Sequence, residues 1–151
     1  MDIKETSVIF ENGGTFCRKN QLFNNPVEII STTGQYKSGK LIDVTIIAEG
    51  ADKFFDLDLL FFPHKSVLTI NPMEQFSMSF EKMKHCAGRI QVVSSDFSNV
   101  GGCSIANLFN LNMTFQFKEL CMIAVYQGDT TIITKPNSVA LTFGYELGSC
   151  S

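Results

Sequence analysis

Apolar and polar residues alternate with a period of two near the C-terminal end of this chain, and that rhythm admits few folds. In Val139-Ala-Leu-Thr-Phe-Gly-Tyr-Glu-Leu147, the residues Val139, Leu141, Phe143, Tyr145 and Leu147 point one way, and Ala140, Thr142, Gly144 and Glu146 the other. Such a segment is a strand with one buried face and one lighter face. The stretch Met113–Lys118 repeats the pattern, as does Phe55–Leu59 before it runs through Leu60-Phe61-Phe62 and stops at Pro63. Leu41–Ala48 and Val27–Ser31 are β-branched runs; Arg89–Ser94, Leu120–Tyr126 and Thr130–Thr134 complete the expected strands. Turn signals fall between them: Gly13-Gly14, Asn24-Asn25-Pro26, Gly34 with Ser38-Gly39, Gly50, Pro63, Asn71-Pro72, Gly101-Gly102, Gln127-Gly128-Asp129 and Pro136-Asn137. Many short strands separated by turns predict an all-β, antiparallel sandwich or barrel. Regular strand–helix alternation is absent, which disfavours a doubly wound parallel sheet.

Two segments read less simply. Met73, Phe76, Phe80 and Met83 have helical spacing, while Phe76, Met78 and Phe80 fit a strand; the reading is a strand through Phe80, then a helical turn over Glu81–Cys86. Ser104–Asn110 reads as a second short helix or a turn. The domain plan is an N-terminal arm over residues 1–20, since termini are ordered only when tied down, and one β-sandwich domain over 21–151.

The chain has 151 residues, enough for one domain with its own core. Charged residues make up 18% of it, below the ~25% of an average domain. A surface poor in charge fits buried contacts with partners, and equally fits a β-protein that uses Ser, Thr and Asn in place of charge. The net charge is −3 and no Lys/Arg run exists, which argues against an electrostatic nucleic-acid binder. Fourteen Phe and no Trp favour packing over a wet binding cleft, because Phe has no polar tip to satisfy. No apolar stretch approaches the ~18 residues of a membrane span. The start, MDIKETSVIF, lacks the features of a secretory leader, so synthesis and assembly in the cytoplasm are expected. Cys17, Cys86, Cys103, Cys121 and Cys150 are odd in number and contain no C-x-x-C, so neither a zinc framework nor a closed disulfide set is expected. Cys86 and Cys121 sit among apolar residues as buried thiols, and Cys150 in the tail is the reactive one.

Several patterns come close to chemistry. Gly34-Gln-Tyr-Lys-Ser-Gly39-Lys40 satisfies G-x-x-x-x-G-K, but Leu41 stands where a magnesium-binding hydroxyl belongs. The β-branched LIDVTII that begins at Leu41 is also a poor helix opening. A tight glycine turn between two strands is the better reading. Asp56 and Asp58 form a D-x-D pair on one strand face, able in principle to hold a divalent cation; a solvated strand face explains them more simply. His64 follows Pro63 in a turn, and His85 precedes Cys86, but neighbours on a strand face opposite ways and no orienting third group is evident. There is no G-x-S-x-G elbow. Asn112-Met113-Thr114 matches a glycosylation acceptor but reads as plain strand sequence. No catalytic, cofactor-binding or metal-ligating set is assigned, and no cofactor is expected.

Between Ser38 and Leu147 the chain resembles virion structural proteins of tailed bacteriophages. Ser38-Gly39-Lys40-Leu41-Ile42-Asp43-Val44 is similar to that family's entry into its first core strand. Phe55-Asp56-Leu57-Asp58-Leu59-Leu60-Phe61-Phe62 is similar to its "LDLxFF" strand, and Gly88-Arg89-Ile90-Gln91-Val92-Val93-Ser94 to its "xGxIxV" strand. Asp96-Phe97 and then Asn110-Leu111-Asn112-Met113-Thr114-Phe115 resemble its loop and "NLxLPF" strand, and Tyr126–Tyr145 its closing hairpin. Residues 1–37 match poorly, and the cysteines and Phe-rich core are not typical of the family. The resemblance implies an antiparallel β-sandwich, jelly-roll-like, with one or two short helical turns. It also implies a non-enzymatic role, decorating a phage head or forming part of a head fibre. The expected partners are the major capsid protein or other virion proteins and further copies in a homo-oligomer, with neither nucleic acid nor membrane; the expected location is the virion. A carbohydrate-binding or receptor-binding fibre module, a subunit of a cellular surface filament or spore layer, and a hydrolase using His64 or His85 stand as alternatives.

Overall fold

The computed structural model describes residues 3–11, 16–32, 35–63 and 76–149. Strand pairing is antiparallel throughout these residues and makes two main sheets. The first sheet runs in the order β1 (Lys4–Phe10), β13 (Val139–Ser149), β5 (Lys37–Glu49), β9 (Cys103–Leu108), β8 (Phe97–Val100). The strand β10 (Met113–Phe117) continues the line of β9 along the same edge of β5. The second sheet runs β3 (Gln21–Leu22), β11 (Glu119–Tyr126), β6 (Leu57–Phe62), β7 (Gly88–Val92), with β4 (Val27–Ser31) in line with β3 on β11. A small separate pair joins β2 (Phe16–Cys17) to β12 (Ile132–Ile133). Counting each in-line pair as one strand, and leaving aside β8 and the small β2–β12 pair, the first sheet holds the first, eighth, third and sixth of eight strands in that spatial order, and the second holds the second, seventh, fourth and fifth. That order is two interlocked Greek keys, the jelly roll. Its helical content among the described residues is one short helix, α1 (Phe80–Met83), and a 3-10 turn at Ser94–Asp96.

The core lies between the sheets and is built largely of phenylalanine. Phe61 of the second sheet stands with its ring centroid 5.7 Å from that of Phe115 and 6.0 Å from that of Phe143, both on the first sheet. A second series runs Phe10, Phe23, Phe55, Phe97, at successive centroid distances of 5.4, 4.9 and 5.7 Å. Phe10, Phe61 and Phe143 are fully buried, and each such side chain contributes on the order of 1.5–3 kcal/mol by leaving water.

The longest strand shows how sequence and core are matched. In β5 the buried positions are Gly39 and Leu41, then Val44, Ile46 and Ala48. The phase slips by one residue between Leu41 and Val44, where a β-bulge lets Ile42 fall out of the pairing with β13. An extra residue on one strand bends it and re-aims the side chains beyond it, so both halves of β5 face the core. At the bulge Asp43 Oδ1 accepts the Gly144 amide at 3.1 Å, and the line of β9 gives way to that of β10.

Several expectations are corrected here. Ser104–Asn110 is not a helix: its first residues belong to β9, whose Ile46–Ala106 and Val44–Leu108 pairings are inward-facing. Phe76–Ser79 is not a strand; Phe76, Met78, Met83 and Cys86 lie over the outer face of β6 and β11 as a covering layer, while Met73 lies outside the described residues. Ser38-Gly39 is not a turn but part of β5, with Gly34 outside the described residues. Gly39 is required for another reason: a Cβ there would sit 2.6 Å from Phe117 Cε1. The genuine two-residue turn is Gly101-Gly102 between β8 and β9, with φ of +64° and +86°. Positive φ at both positions is the type I′ geometry that suits strand twist.

Replacing Gly39 with Ala is expected to cost about 1–3 kcal/mol by overpacking against Phe117, whereas Gly101→Asn is expected to change stability by less than about 0.5 kcal/mol, because Asn tolerates this turn conformation. Urea unfolding midpoints at unchanged m-value check both; equal loss in the two variants contradicts the assignment.

Candidate functional site

Among the described residues, those singled out by sequence do not gather. Asp58 is on the outward side of β6, but the solvated face expected for it does not exist. Every residue of β6 is buried, because Leu60 and Phe62 on Asp58's side are covered by Phe76, Met78, Met83 and Cys86. Asp58 itself is 8% exposed and is held by Arg89, whose Nε donates to Oδ1 at 2.9 Å and whose Nη2 lies 2.7 Å from the same oxygen. Asp56 precedes the strand and accepts the Ser94 amide at 2.8 Å, anchoring the 3-10 turn. Both carboxylates are therefore occupied by structural partners. His85 is exposed just after α1, its backbone N–H donating to the Lys82 carbonyl. Cys86 turns to donate to the Gly88 carbonyl at 3.3 Å. His64 and Cys150 lie outside the described residues. Lys40 is within β5, so the phosphate-loop pattern is interrupted by strand pairing. Asn112 is exposed with φ of +51° in the step between β9 and β10. Among the described residues no group of three or more His, Cys, Asp or Glu is placed to hold a metal, and no helix is long and apolar enough to cross a membrane.

Of the two thiols expected to be buried, Cys121 is fully buried and Cys86 half-buried. The chemically distinct one is Cys17, which the sequence did not single out. Burial pushes its thiol from 9.0 up to about 11, and its Sγ donates to the Leu22 carbonyl at 3.7 Å.

Two surface features remain. The first is the outer face of the first sheet, whose rows are set by the strand register. One row is Ile9, Ala140, Ile47, Ile105 and Ser98, crossing all five strands. Beside it lie Glu49, Cys103 and Val100. On the other side lie Ser7, Thr142, Thr45 and Asn107, linked by Ser7–Thr142 at 3.0 Å and Thr45–Asn107 at 2.8 Å. Ile9 is 56% exposed, Ile47 41% and Val100 56%. These rows contain no Lys or Arg. The second feature is a cleft of about 450 Å³ at one end of the sandwich, between the turn after β5 and the loop that precedes β13. Glu49, Lys53, Phe55, Thr134, Lys135 and Ser138 line it. No motif marks these six residues, which come from separate parts of the chain, so sequence reading did not find them.

Arg89→Met is expected to destabilise the fold by about 1–3 kcal/mol, since it strands a buried carboxylate, and adding Asp58→Asn is expected to restore most of the loss; a double-mutant cycle in urea measures the coupling. For Cys17 the folded thiol ionises at higher pH than the unfolded one, so the unfolded state loses protons first and stability falls between pH 9 and about 11. Unfolding curves across that range are expected to flatten in Cys17→Ala, and alkylation of Cys17 is expected to be slow at neutral pH.

No family model and no curated protein sequence matches this chain. Among solved structures it is similar to a chain of the native virion of Kashmir bee virus at acidic pH, with 11% identity and a TM-score of 0.34 over 97% of this chain and 68% of that one. The native virion of the same virus at neutral pH gives 10% identity and a TM-score of 0.33 over the same shares. At those scores the fold rests on the strand pairing described above, and the likeness assigns no role.

Proposed function

We propose that this protein is a non-enzymatic structural component of a bacteriophage particle, decorating or cementing the capsid shell through protein–protein contacts. The observation that carries the reading is the contrast between the two outer sheet faces. The second sheet buries Leu22, Leu60, Phe62, Ile123 and Val125 beneath the chain's own Phe76–Cys86 segment. The first sheet leaves Ile9, Ile47 and Val100 on a face whose other residues are Ala140, Ile105, Cys103, Glu49 and a set of hydroxyl and amide side chains. Exposed apolar patches rimmed by polar groups mark protein contact surfaces. The lack of cations in the central rows disfavours a nucleic-acid or anionic-membrane partner and favours a flat, uncharged protein surface such as a neighbouring shell subunit. The jelly-roll strand order supports the same reading, since this architecture recurs in capsid domains, although it also serves lectins and cupins. So does the resemblance of residues 38–147 to tailed-phage virion proteins. The site of action is then the virion, reached by assembly in the host cytoplasm, with the shell subunit and further copies of this chain as partners.

The paired substitution Ile9→Lys with Ile47→Lys puts two charges on the exposed face without touching the core. It is expected to leave thermal unfolding nearly unchanged and to lower the copies retained on purified particles by about tenfold or more. Quantifying this protein against the major shell subunit in purified particles decides the case: a high multiple of copies means decoration. Absence from particles, or full retention of the double variant, refutes the proposal.

A further inference from the structure

We propose that two copies of this chain pair through the free edge of β1, antiparallel and centred on Ser7, so that their first sheets become one continuous sheet. A strand at a sheet edge presents unpaired N–H and C=O groups, and proteins blunt such edges with short strands, prolines, bulges or a cover. The other edges of this sandwich are blunted in those ways. The strand β8 has four residues, and the Phe97 amide at its start already donates to the Ser94 carbonyl. The strand β3 has two residues, while β4 follows Pro26 and is bulged against β11, with the Ile29 carbonyl accepting the Thr6 hydroxyl at 3.0 Å. The strands β7 and β10 close on each other at Gly88, where a Cβ would meet Met113 Cε at 2.5 Å and Phe115 Cε1 at 3.1 Å. By contrast, β1 has seven residues matched one to one with β13, without Pro, Gly or register shift.

The hydrogen bonds around β13 fix which main-chain groups of β1 are free. The Ser138 carbonyl accepts the Glu49 amide at 2.8 Å, and Asp43 Oδ1 accepts the Gly144 amide, so the even-numbered residues of β13 turn their main-chain groups to β5. The odd-numbered residues from Val139 to Tyr145 turn theirs to β1, where they face Phe10, Val8, Thr6 and Lys4. The Asn137 amide, donating to the Phe10 carbonyl at 3.1 Å, agrees with that direction. Neighbouring residues of a strand point their main-chain groups to opposite sides. Glu5, Ser7 and Ile9 are therefore directed at the open edge, and all three are exposed.

These three residues select the register and the partner. Of the ways to match two antiparallel copies of β1, only the one with Ser7 facing its own counterpart uses all of them. Glu5 of each copy then pairs with Ile9 of the other, giving about six main-chain hydrogen bonds. The two-fold axis stands perpendicular to the sheet, so the contact is isologous and closes at two copies. One residue beyond β1, Ile3 of one copy comes diagonally beside Ile9 of the other, about 7–8 Å away and within reach of long side chains; both are exposed in the single chain. The nearest like charges, Glu5 and the other copy's Glu11, are exposed, where salt screens their repulsion. The inference rests on the fold alone and holds or fails without the particle role.

Sedimentation equilibrium on the purified full chain tests it, with amide hydrogen exchange as a second readout. A monomer–dimer equilibrium is expected, with a dissociation constant of about 1–100 μM and exchange at Glu5, Ser7 and Ile9 that slows as concentration rises. Ser7→Pro removes a donor that the chain's own sheet does not use, at a kind of edge position where proline is tolerated. It is expected to unfold cooperatively and to associate at least about tenfold more weakly. Should Ser7→Pro fail to fold, Ser7→Lys, which sets two ammonium groups face to face across the axis, carries the comparison. Ser98→Lys, on β8 at the opposite edge, is expected to associate like the parent. A chain that stays monomeric at about 200 μM, association that survives the Ser7 substitution, an equal loss in Ser98→Lys, or exchange at Glu5 and Ile9 that ignores concentration overturns the proposal.

Discussion

Ring-on-ring contact between the two sheets holds this molecule together. Phe61 reaches from the second sheet to Phe115 and Phe143 on the first, and Phe10, Phe23, Phe55 and Phe97 form a second bridge. Phenylalanine fills the space between sheets about 10 Å apart and needs no hydrogen-bond partner inside it. That explains the choice of Phe over Trp in a core that offers few polar partners. Other features arise from accommodating the rings: Gly39 makes room for Phe117, and the bulge in β5 keeps Leu41 and Val44 on the same side despite two intervening residues.

The two sheets solve the problem of their outer faces differently. The outer side of β6 and β11 is as apolar as the inner side, and the chain folds its own segment over it. The buried Asp58 is tolerated there because Arg89 lies diagonally across the β6–β7 pair and keeps its guanidinium half in water. A carboxylate without that partner would have to be desolvated alone. The first sheet has no such cover among the described residues. Its hydroxyl rows satisfy one another, and its isoleucines remain at the surface. One sheet face is thus finished by the chain itself, and the other is left open among the described residues.

The end of the sandwich is a different kind of surface. Loops from both sheets meet there, and the hydrogen bonds of Ser104 and Ser138 fix their backbones.

Alternation in Val139–Leu147 and Met113–Phe117, and the β-branched run from Leu41, were sufficient to place β13, β10 and most of β5, and with them the all-β class. Strand identity is legible wherever one face is buried and the other wet, because the side-chain period then appears directly in the residues. Which face meets water is not legible where both faces are buried, as at Asp58, and strand identity itself is lost where small or polar residues fill a central strand, as in Cys103–Leu108, whose inward Ser104 and Ala106 look like loop. The same limit hid the cleft: Glu49, Lys53 and Lys135 carry no shared spacing and meet only because β5 and β13 are neighbours. Most strand segments and the phenylalanine packing of the interior were thus readable from the residues alone, since both depend on local periodicity and side-chain chemistry. The order of the strands, the covering of one sheet face and the assembly of the end cleft emerge only in the folded chain, because they depend on pairings between residues far apart along it.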